Sequence, residues 1–411
     1  MSDLEIRPLR PDEVELFASQ SSYAFGGRSL SPGGGDYLKR IQPERHILVA
    51  IEDGQIVSQA LIYPFAIWID GARYETGGLA NVSTVPEMSR RGYAARVVRA
   101  TLAWMKDELG FALSTLFPTM YPLYAGLGWA HAEDAAQFQG PPAAFRPSPH
   151  LPSDPNGHVV RRLATLADRE LLEPLYREFA APRSGYLDRP GWLWEDRILR
   201  SNESRPAPWL GLWIGSDGKI GGYLLYFLRT EPTRSLRIRE LIANRPEAYH
   251  GLLSFVATHH FWDSVQFEAG RDVPWVTLVA NPHLLETSVH YNHQFMLRIV
   301  DLPATLALVP ASADLPPVRL RVVDEAAPWN DGVWRIAAKA GPAGHAWTCE
   351  RTSGSDAAAT ADIATLSALH AGMLPFRQAI DTGLLRAEPS ALPTLTALFR
   401  RAYPPHGKDY F

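Results

Sequence analysis

The sequence predicts an α/β and α+β protein: two similar units in tandem, each a central mixed β-sheet flanked by helices, followed by a smaller α+β domain. Three observations lead there. Residues 46 to 85, "HILVAIEDGQIVSQALIYPFAIWIDGARYETGGLANVSTV", alternate strand-like runs with two Asp-Gly turn signals, "EDGQ" and "IDGAR". That pattern predicts a three-stranded antiparallel meander. Ala94, Val98, Leu102, Met105 and Leu109 then recur at three-to-four spacing up to Gly110, and "FALSTLFP" at 111 to 118 follows. This is the apolar stripe of one helix and the strand after it, a β-α-β crossover. The same order returns later: a hairpin around Asp217-Gly218, the strand "LRIRELIA", the helix "RPEAYHGLLSFVATHHF" and the strand "DSVQFEA". A repeat of pattern with little residue identity predicts two domains of one kind.

Between Phe138 and Asp154 the proline-rich "FQGPPAAFRPSPHLPSD" has no periodicity and is the expected linker. From residue 301 "LPATLALVP", "PVRLRVVDE" and "GVWRIAAKA" read as short strands, followed by helical "ADIATLSALHAGM" and "SALPTLTALFRRAY". The expected domains are therefore 1–146, 147–300 and 301–411, a division in keeping with a chain of 411 residues.

The 40 Lys and Arg against 44 Asp and Glu give a net charge of -4, which supplies no general attraction for nucleic acid or an anionic membrane. Cys349 is the one cysteine, so no intrachain disulfide and no cysteine-based zinc site of the usual kind is expected, and an inert, partly buried thiol is. "MSDLEIRPLRPDEVELF" lacks the basic and apolar regions of a secretory leader, and no apolar run reaches the ~18 residues of a membrane span. A soluble cytoplasmic protein is the expectation.

The chemistry concentrates in "NVSTVPEMSRRGYAARVVRATLAWMKDELG", residues 81 to 110, where a strand passes through a short loop into a helix that starts near Arg90. Such a junction aims several backbone N–H groups and the positive end of a helix dipole at one spot, which suits a pyrophosphate. Arg90 and Arg91 would add charge-assisted hydrogen bonds, and Gly92 would let the backbone approach. A solvated arginine pair capping a loop fits the same residues. Neither G-x-G-x-x-G after a strand nor G-K-[ST] occurs, and the glycine-rich "FGGRSLSPGGGDY" at 25 to 37 is expected to be a loop.

"VPEMSRRGYAARVV" resembles the acetyl-coenzyme A loop of the GNAT acetyltransferase superfamily, [Gln/Arg]-x-x-Gly-x-[Gly/Ala], at Ser89, Arg90, Arg91, Gly92, Tyr93 and Ala94. Ser89 departs from the Gln or Arg of that pattern. "TMYPLYAGLGWAHAED" resembles a later segment of the superfamily, with Tyr124 at its tyrosine and Gly128-Trp129 at its Gly-aromatic pair. Two such domains, the second degenerate, followed by a sterol-carrier-like domain are the layout of the enhanced intracellular survival (Eis) family. "IRELIANRPEAYHGLLSFVATHH" is similar to that family's central domain, and "DIATLSALHAGMLPFRQAIDTGLL" with "ALFRRAYPPHGKDYF" to its last.

The resemblance implies an acetyl-coenzyme A dependent N-acetyltransferase acting on aminoglycoside, polyamine or lysine-type amines. It implies that Ser83, Thr84 and Val85 hold the thioester and pantetheine, that Tyr124 protonates the leaving thiolate, and that the C-terminal carboxylate of Phe411 serves as base or amine anchor. It also implies a hexamer, with acetyl-coenzyme A as the co-substrate and no metal. A phenol of reference pKa ~10 is near a match for a thiol, whereas an α-carboxylate near ~3.5 is a weak base unless burial raises it. The alternative is an acyl-coenzyme A or lipid-binding sensor that keeps the fold without turnover. His290 and His293 stand one helical turn apart without a carboxylate motif and are expected to be ordinary polar residues. Arg239 and Glu240 lie in the second unit's central strand, but "NRPEAYHGLL" after it lacks the double arginine and Gly-x-Ala, so that unit is expected to be scaffold. Trp68, Trp104 and Trp129 are expected in the core.

Overall fold

A computed structural model describes residues 4–26, 46–200, 206–291, 294–341 and 344–411. The glycine-rich segment from residue 27 and His293 lie outside the described residues. Nineteen described strands form three sheets.

The first sheet starts with β1 (Glu5–Pro8), β2 (Ile47–Glu52), β3 (Gln55–Ile69), β4 (Ala72–Thr84), β5 (Leu113–Leu116) and β6 (Ala130–His131). The predicted meander is present, and both of its turns carry the positive φ that a tight hairpin needs, Asp53 and Gly54 at +50° and +76°, Asp70 and Gly71 at +50° and +87°. Strand β3 is buried on both faces: Leu61 and Phe65 share a core with Phe17 of the helix Val14–Ala24, and Ala60 and Ile62 share another with Val97, Leu102 and Met105 of Tyr93–Asp107. The predicted helix therefore exists and begins at Tyr93, after the glycine.

The second sheet contains β7 (Ala135–Gly140), β8 (His158–Leu163), β9 (Trp209–Ile214), β10 (Ile220–Arg229), β11 (Ser235–Ala243), β12 (Ser264–Gly270) and β13 (Glu286–Ser288). Its helix Pro246–Ala257 packs Leu252, Leu253 and Val256 into the second core. Here the sequence-based division fails. Strand β7 pairs with β12, so the chain enters the second sheet before residue 146, and β14 (Met296–Ile299) returns to the first sheet between β5 and β6. Each sheet thus borrows a strand from beyond its expected domain. Phe138 and Gly140 are strand residues, and the expected linker begins only after them.

The third sheet holds β15 (Leu315–Val323), β16 (Gly332–Gly341), β17 (Gly344–Thr352), β18 (Ala359–Asp362) and β19 (Arg386–Ala387), covered by the helices Ile363–Ala371 and Leu392–Phe399. "LPATLALVP" is not a strand: Asp301 caps a short helix, Leu302–Ala307, by accepting from Ala304 N at 3.0 Å. The core of this domain is continuous with that of the first. Fully buried Arg298 of β14 joins them, donating to Leu127 O at 2.7 Å and to both oxygens of Asp324 at 2.7 and 2.9 Å. No helix among the described residues is long and apolar enough to cross a membrane. Trp129 lies in the core under the helix Tyr93–Asp107, Trp104 packs against the edge of that core, and Trp68 packs against the core of the second sheet. Cys349 is half-buried, its thiol pushed up to about 12 by burial.

After Phe399 the chain runs as an extended tail. Its first fixed point is Arg401, which donates to His370 O at 2.7 Å and to His370 Nδ1 at 3.0 Å. An imidazole that accepts from a guanidinium is neutral, and burial first, then the Arg401 charge, hold its pKa well below the ordinary 6.5. In the unfolded chain the same histidine binds a proton below pH ~6.5. The unfolded state then holds more protons than the native one, so stability falls as the pH drops through that value, by at most about 1.4 kcal/mol per unit. Melting curves between pH 7 and 5 should record that loss in the wild type and a flatter dependence in His370→Gln.

Candidate active site

Strand β4 is the axis of the site. It pairs in parallel with β5 at Thr76/Leu113, Gly77/Ser114 and Gly78/Thr115, and the pairing ends there while β4 continues to Thr84. On its other side, the register with β3 shifts between Gln59/Ser83 and Leu61/Ala80. Two residues of β4, Asn81 and Val82, thus stand opposite Ala60 alone, a bulge with Asn81 at φ +51°. A bulge bends its strand and leaves backbone groups outside the ladder. The Asn81 carboxamide accepts from Ser21 Oγ at 3.1 Å, which ties the bulge to the first helix.

The end of β4 leads to the loop. Val85 N donates to Val57 O at 3.0 Å, so that amide is committed to β3, and strand alternation turns the Thr84 amide the opposite way, towards the opening. Ser83 Oγ is buried without a hydrogen-bond partner. Of the three residues expected to hold a thioester, Ser83 and Val85 turn their amides towards β3, and Thr84 turns its amide away.

Ser89, Arg90, Arg91 and Gly92 are exposed at the mouth of the helix Tyr93–Asp107. Arg90 and Gly92 both have positive φ, +65° and +81°, and a Cβ on Gly92 would meet nothing within 4 Å. The first bond of the helix runs from Arg96 N to Gly92 O at 3.1 Å, which leaves the amides of Tyr93, Ala94 and Ala95 outside the intrahelical ladder. Open space, unbonded amides and exposed arginines make an anion cradle. Tyr93 itself is a wall of it: its ring is buried and its hydroxyl donates to Glu52 Oε2 at 2.5 Å, with Arg91 at the same hydroxyl, so the hydrogen bond to Glu52 raises its pKa.

Tyr124 lies in the short helix Tyr121–Ala125, buried edge-on to Trp129 with ring centres 6.1 Å apart. Burial pushes its phenol up to about 12, away from the match with a thiol that its reference value suggests. The C-terminal ring of Phe411 sits on Gly78: a Cβ there would come within 2.7 Å of both Phe411 and Phe65. Phe65, Phe117 and Tyr63 surround it at 4.7, 5.5 and 5.7 Å between ring centres. The chain end therefore lies at the last residue pair before β4 and β5 part. Thr115, in register with Gly78 and so on the same sheet face, has a buried hydroxyl without a partner. Beside Phe117 and Tyr410 opens a cavity of about 360 Å³, bordered by Glu133, Glu268 and Gln294.

The structure places the Arg90-Arg91-Gly92 loop at the start of the helix Tyr93–Asp107, Tyr124 in the core beside Trp129, and Phe411 on Gly78. Sequence reasoning missed Thr115, Phe117 and Trp192, the last of which stacks on Tyr63 at 5.6 Å. No local motif marks them: Thr115 and Phe117 come from β5 and the residue after it, and Trp192 comes from a segment far along the chain. Among the described residues no group of three or more His, Cys, Asp or Glu could hold a metal ion, and exposed His290 bonds Ser288 Oγ at 3.0 Å.

A mixed sheet whose parallel strands part beside the start of a helix is the frame in which the chain can be compared with known proteins. Residues 5–132 and 185–299 each match an acetyltransferase (GNAT) domain, and residues 302–407 match a sterol carrier protein domain. The chain is a GNAT-type N-acetyltransferase with two such domains and a sterol-carrier-like third. It is 24% identical over 422 residues to an uncharacterized N-acetyltransferase of Streptomyces avermitilis, covering 98% of this chain and 99% of that one. Among solved structures it is similar to a probable N-acyltransferase of Enterococcus faecalis, with TM-score 0.85 and 22% identity over 100% of both chains. Eis1 of Mycobacterium abscessus gives TM-score 0.79 and 21% identity over 99% of this chain and 100% of that one.

The close seat of Phe411 on Gly78 is testable in the fold itself. Gly78→Val should displace Phe411 or Phe65 and lower stability by about 1–3 kcal/mol, read from denaturant melts. A wild-type melt in this variant would mean that the terminus is not held there.

Proposed function

We propose that the first domain transfers the acetyl group of acetyl-coenzyme A directly to a primary amine, and that the chain is an Eis-type enzyme. The observation that carries this reading is the seat of the Phe411 ring on Gly78, because it brings the end of the chain to the last residue pair before the strands part. The pyrophosphate lies against Arg90, Arg91, Gly92, Tyr93 and Ala94, and the pantetheine arm follows β4 past Ser83, Thr84 and Val85, with the Thr84 amide turned to the thioester. The terminal carboxylate takes the amine's proton or anchors its ammonium form. The neighbouring cavity is bordered by Glu133 and Glu268 together with His290 and Lys408, a mixed polar lining that has room for an acceptor of the aminoglycoside, polyamine or lysine type. The enzyme works in the cytoplasm, as a hexamer in keeping with the family resemblance.

Tyr124 acts as the acid in a particular way. With its pKa at about 12, the phenol stays protonated throughout the physiological range. Full transfer to a thiolate is uphill by roughly 1.4 kcal/mol for each unit of mismatch, so its contribution is a hydrogen bond that strengthens as charge develops on sulfur.

Thiol release from acetyl-coenzyme A, measured against a panel of amines, tests the reading. Tyr124→Phe should lower kcat about a hundredfold or more while acetyl-coenzyme A binding stays unchanged. The pH profile of kcat/KM should have no descending limb from Tyr124 below pH ~10, since the raised pKa places that limb higher; such a limb lost in Tyr124→Phe would contradict the assignment. Gly92→Asp should raise KM for acetyl-coenzyme A, because it sets a carboxylate against the phosphates. Two residues added after Phe411 should abolish turnover, and full activity in that variant would remove the terminus from the mechanism. Tight coenzyme binding without turnover on any amine would favour a sensor instead.

A further inference from the structure

The second domain has an opening of the same kind, and the protein's own tail fills it. Strands β11 and β12 pair in parallel from Ser235/Ser264 to Ile238/Phe267 and then separate, as β4 and β5 do after Gly78/Thr115. Where they part, Lys408 donates to Glu268 O, and His406 and Asp409 lie beside Glu240 and Leu241. About 30 Å³ remains free around Asp409 and Glu240, roughly the share of one water molecule, and a separate cavity of about 420 Å³ lies beyond Lys408 against Ile238 and Arg239.

The residue that grips the tail is Arg189. It is 5% exposed, its Nε donates to Asp409 at 2.9 and 3.0 Å, and its other nitrogens bond the Glu240 carboxylate. Its guanidinium lies 3.6 Å from the Tyr176 ring centre and 4.7 Å from that of Trp194, and the Tyr176 hydroxyl is 3.2 Å from Asp409. Arg189 is also in fixed register with the first domain. The segment before it bonds the β3–β4 hairpin through Gly185 N to Trp68 O at 2.9 Å, Trp68 N to Tyr186 O at 2.8 Å and Asp188 N to Ala66 O at 2.8 Å. Three residues after it, Trp192 lies against Phe65, one of the rings around Phe411.

We propose that Arg189 is a positioning residue for acetyl transfer: by holding Asp409 in the closed opening of the second domain, it fixes the terminal carboxylate of Phe411 at the open one of the first. This rests on the role given to Phe411 above. Two residues of extended chain span about 7 Å at most, so a fixed Asp409 leaves the terminus little freedom. A merely structural arginine would be satisfied by Glu240 and its partner Tyr223. Burying a second carboxylate adds a desolvation cost, and what it secures is the end of the chain. The second domain's opening has thereby become a socket, which gives this domain a part in the reaction.

The test uses full-length Asp409→Ala, in which Arg189 keeps Glu240, beside the isosteric Asp409→Asn and a chain lacking only Phe411. Coenzyme-binding titration counts competent sites, and kcat is referred to them. Asp409→Ala should lower kcat tenfold to a hundredfold with acetyl-coenzyme A affinity unchanged, as a misplacement of about 1 Å does. Asp409→Asn, which can still accept from Arg189, should recover part of the rate. Arg189→Lys should cost little more in the Asp409→Ala background than Asp409→Ala costs alone, since both act through one contact. Full kcat per competent site in Asp409→Ala, with the Phe411 deletion inactive, overturns the clamp and leaves the role of Phe411 standing. Activity losses that merely follow the count of competent sites overturn it as well. Full activity without Phe411 removes the underlying reading and the clamp together.

Discussion

The structure hangs on a buried cation between two carboxylates. Arg189 bonds Glu240 from a strand of the second sheet and Asp409 from the end of the chain, and it comes itself from a segment stitched to the first sheet. Three distant parts of the sequence meet at one side chain. Removing one partner of a buried pair typically costs about 3–5 kcal/mol, because the others are left charged and dry. A lysine could not replace it: the planar fork serves two carboxylates at once and stacks on Tyr176 and Trp194. Burial works to raise the Glu240 pKa, but the charge and hydrogen bonds of Arg189 outweigh it and hold the carboxyl below its ordinary value, so it remains ionised.

The same logic repeats along the interfaces. Arg298 carries its charge from an exchanged strand to Asp324 of the third domain, and Arg401 fastens the start of the tail to a neutral His370. Further along, Pro405 O accepts from Asp134 N at 2.7 Å, and His406 Nδ1 lies 3.2 Å from Glu133. With β7 and β14 exchanged between the two sheets, the first domain cannot be completed without the second, nor the tail be placed without all three. The opening beside Gly78 is thus assembled by all three domains.

The two acetyltransferase domains have diverged by filling rather than by refolding. Both keep a meander, a helix and a parallel strand that parts from its neighbour. In the first, the loop before the helix exposes Arg90 and Arg91 and leaves room over Gly92. In the second, Arg245 at the equivalent helix start turns to Asp217 at 3.0 Å, and the opening receives Lys408 and Asp409. The second junction thus has its helix-start cation paired and part of its opening taken by the tail.

Local patterns determined what depends on neighbours in sequence. The Asp-Gly hairpins, the stripe of the helix Tyr93–Asp107 and the Arg90-Arg91-Gly92 loop are each set by spacing within a few residues, and each is where the pattern put it, give or take a helix end. Resemblance, not spacing, pointed to Tyr124 and Phe411. The exchange of β7 and β14, the misread linker at Phe138 and the helix at Leu302–Ala307 were not legible, since strand runs carry no label for the sheet they join and a short apolar run fits helix and strand alike. Nor could the sequence foretell that Arg189 meets Asp409 across 220 positions, or that burial moves Tyr124 to about 12. Those facts arise from which surfaces exclude water together, and only the packed chain decides that.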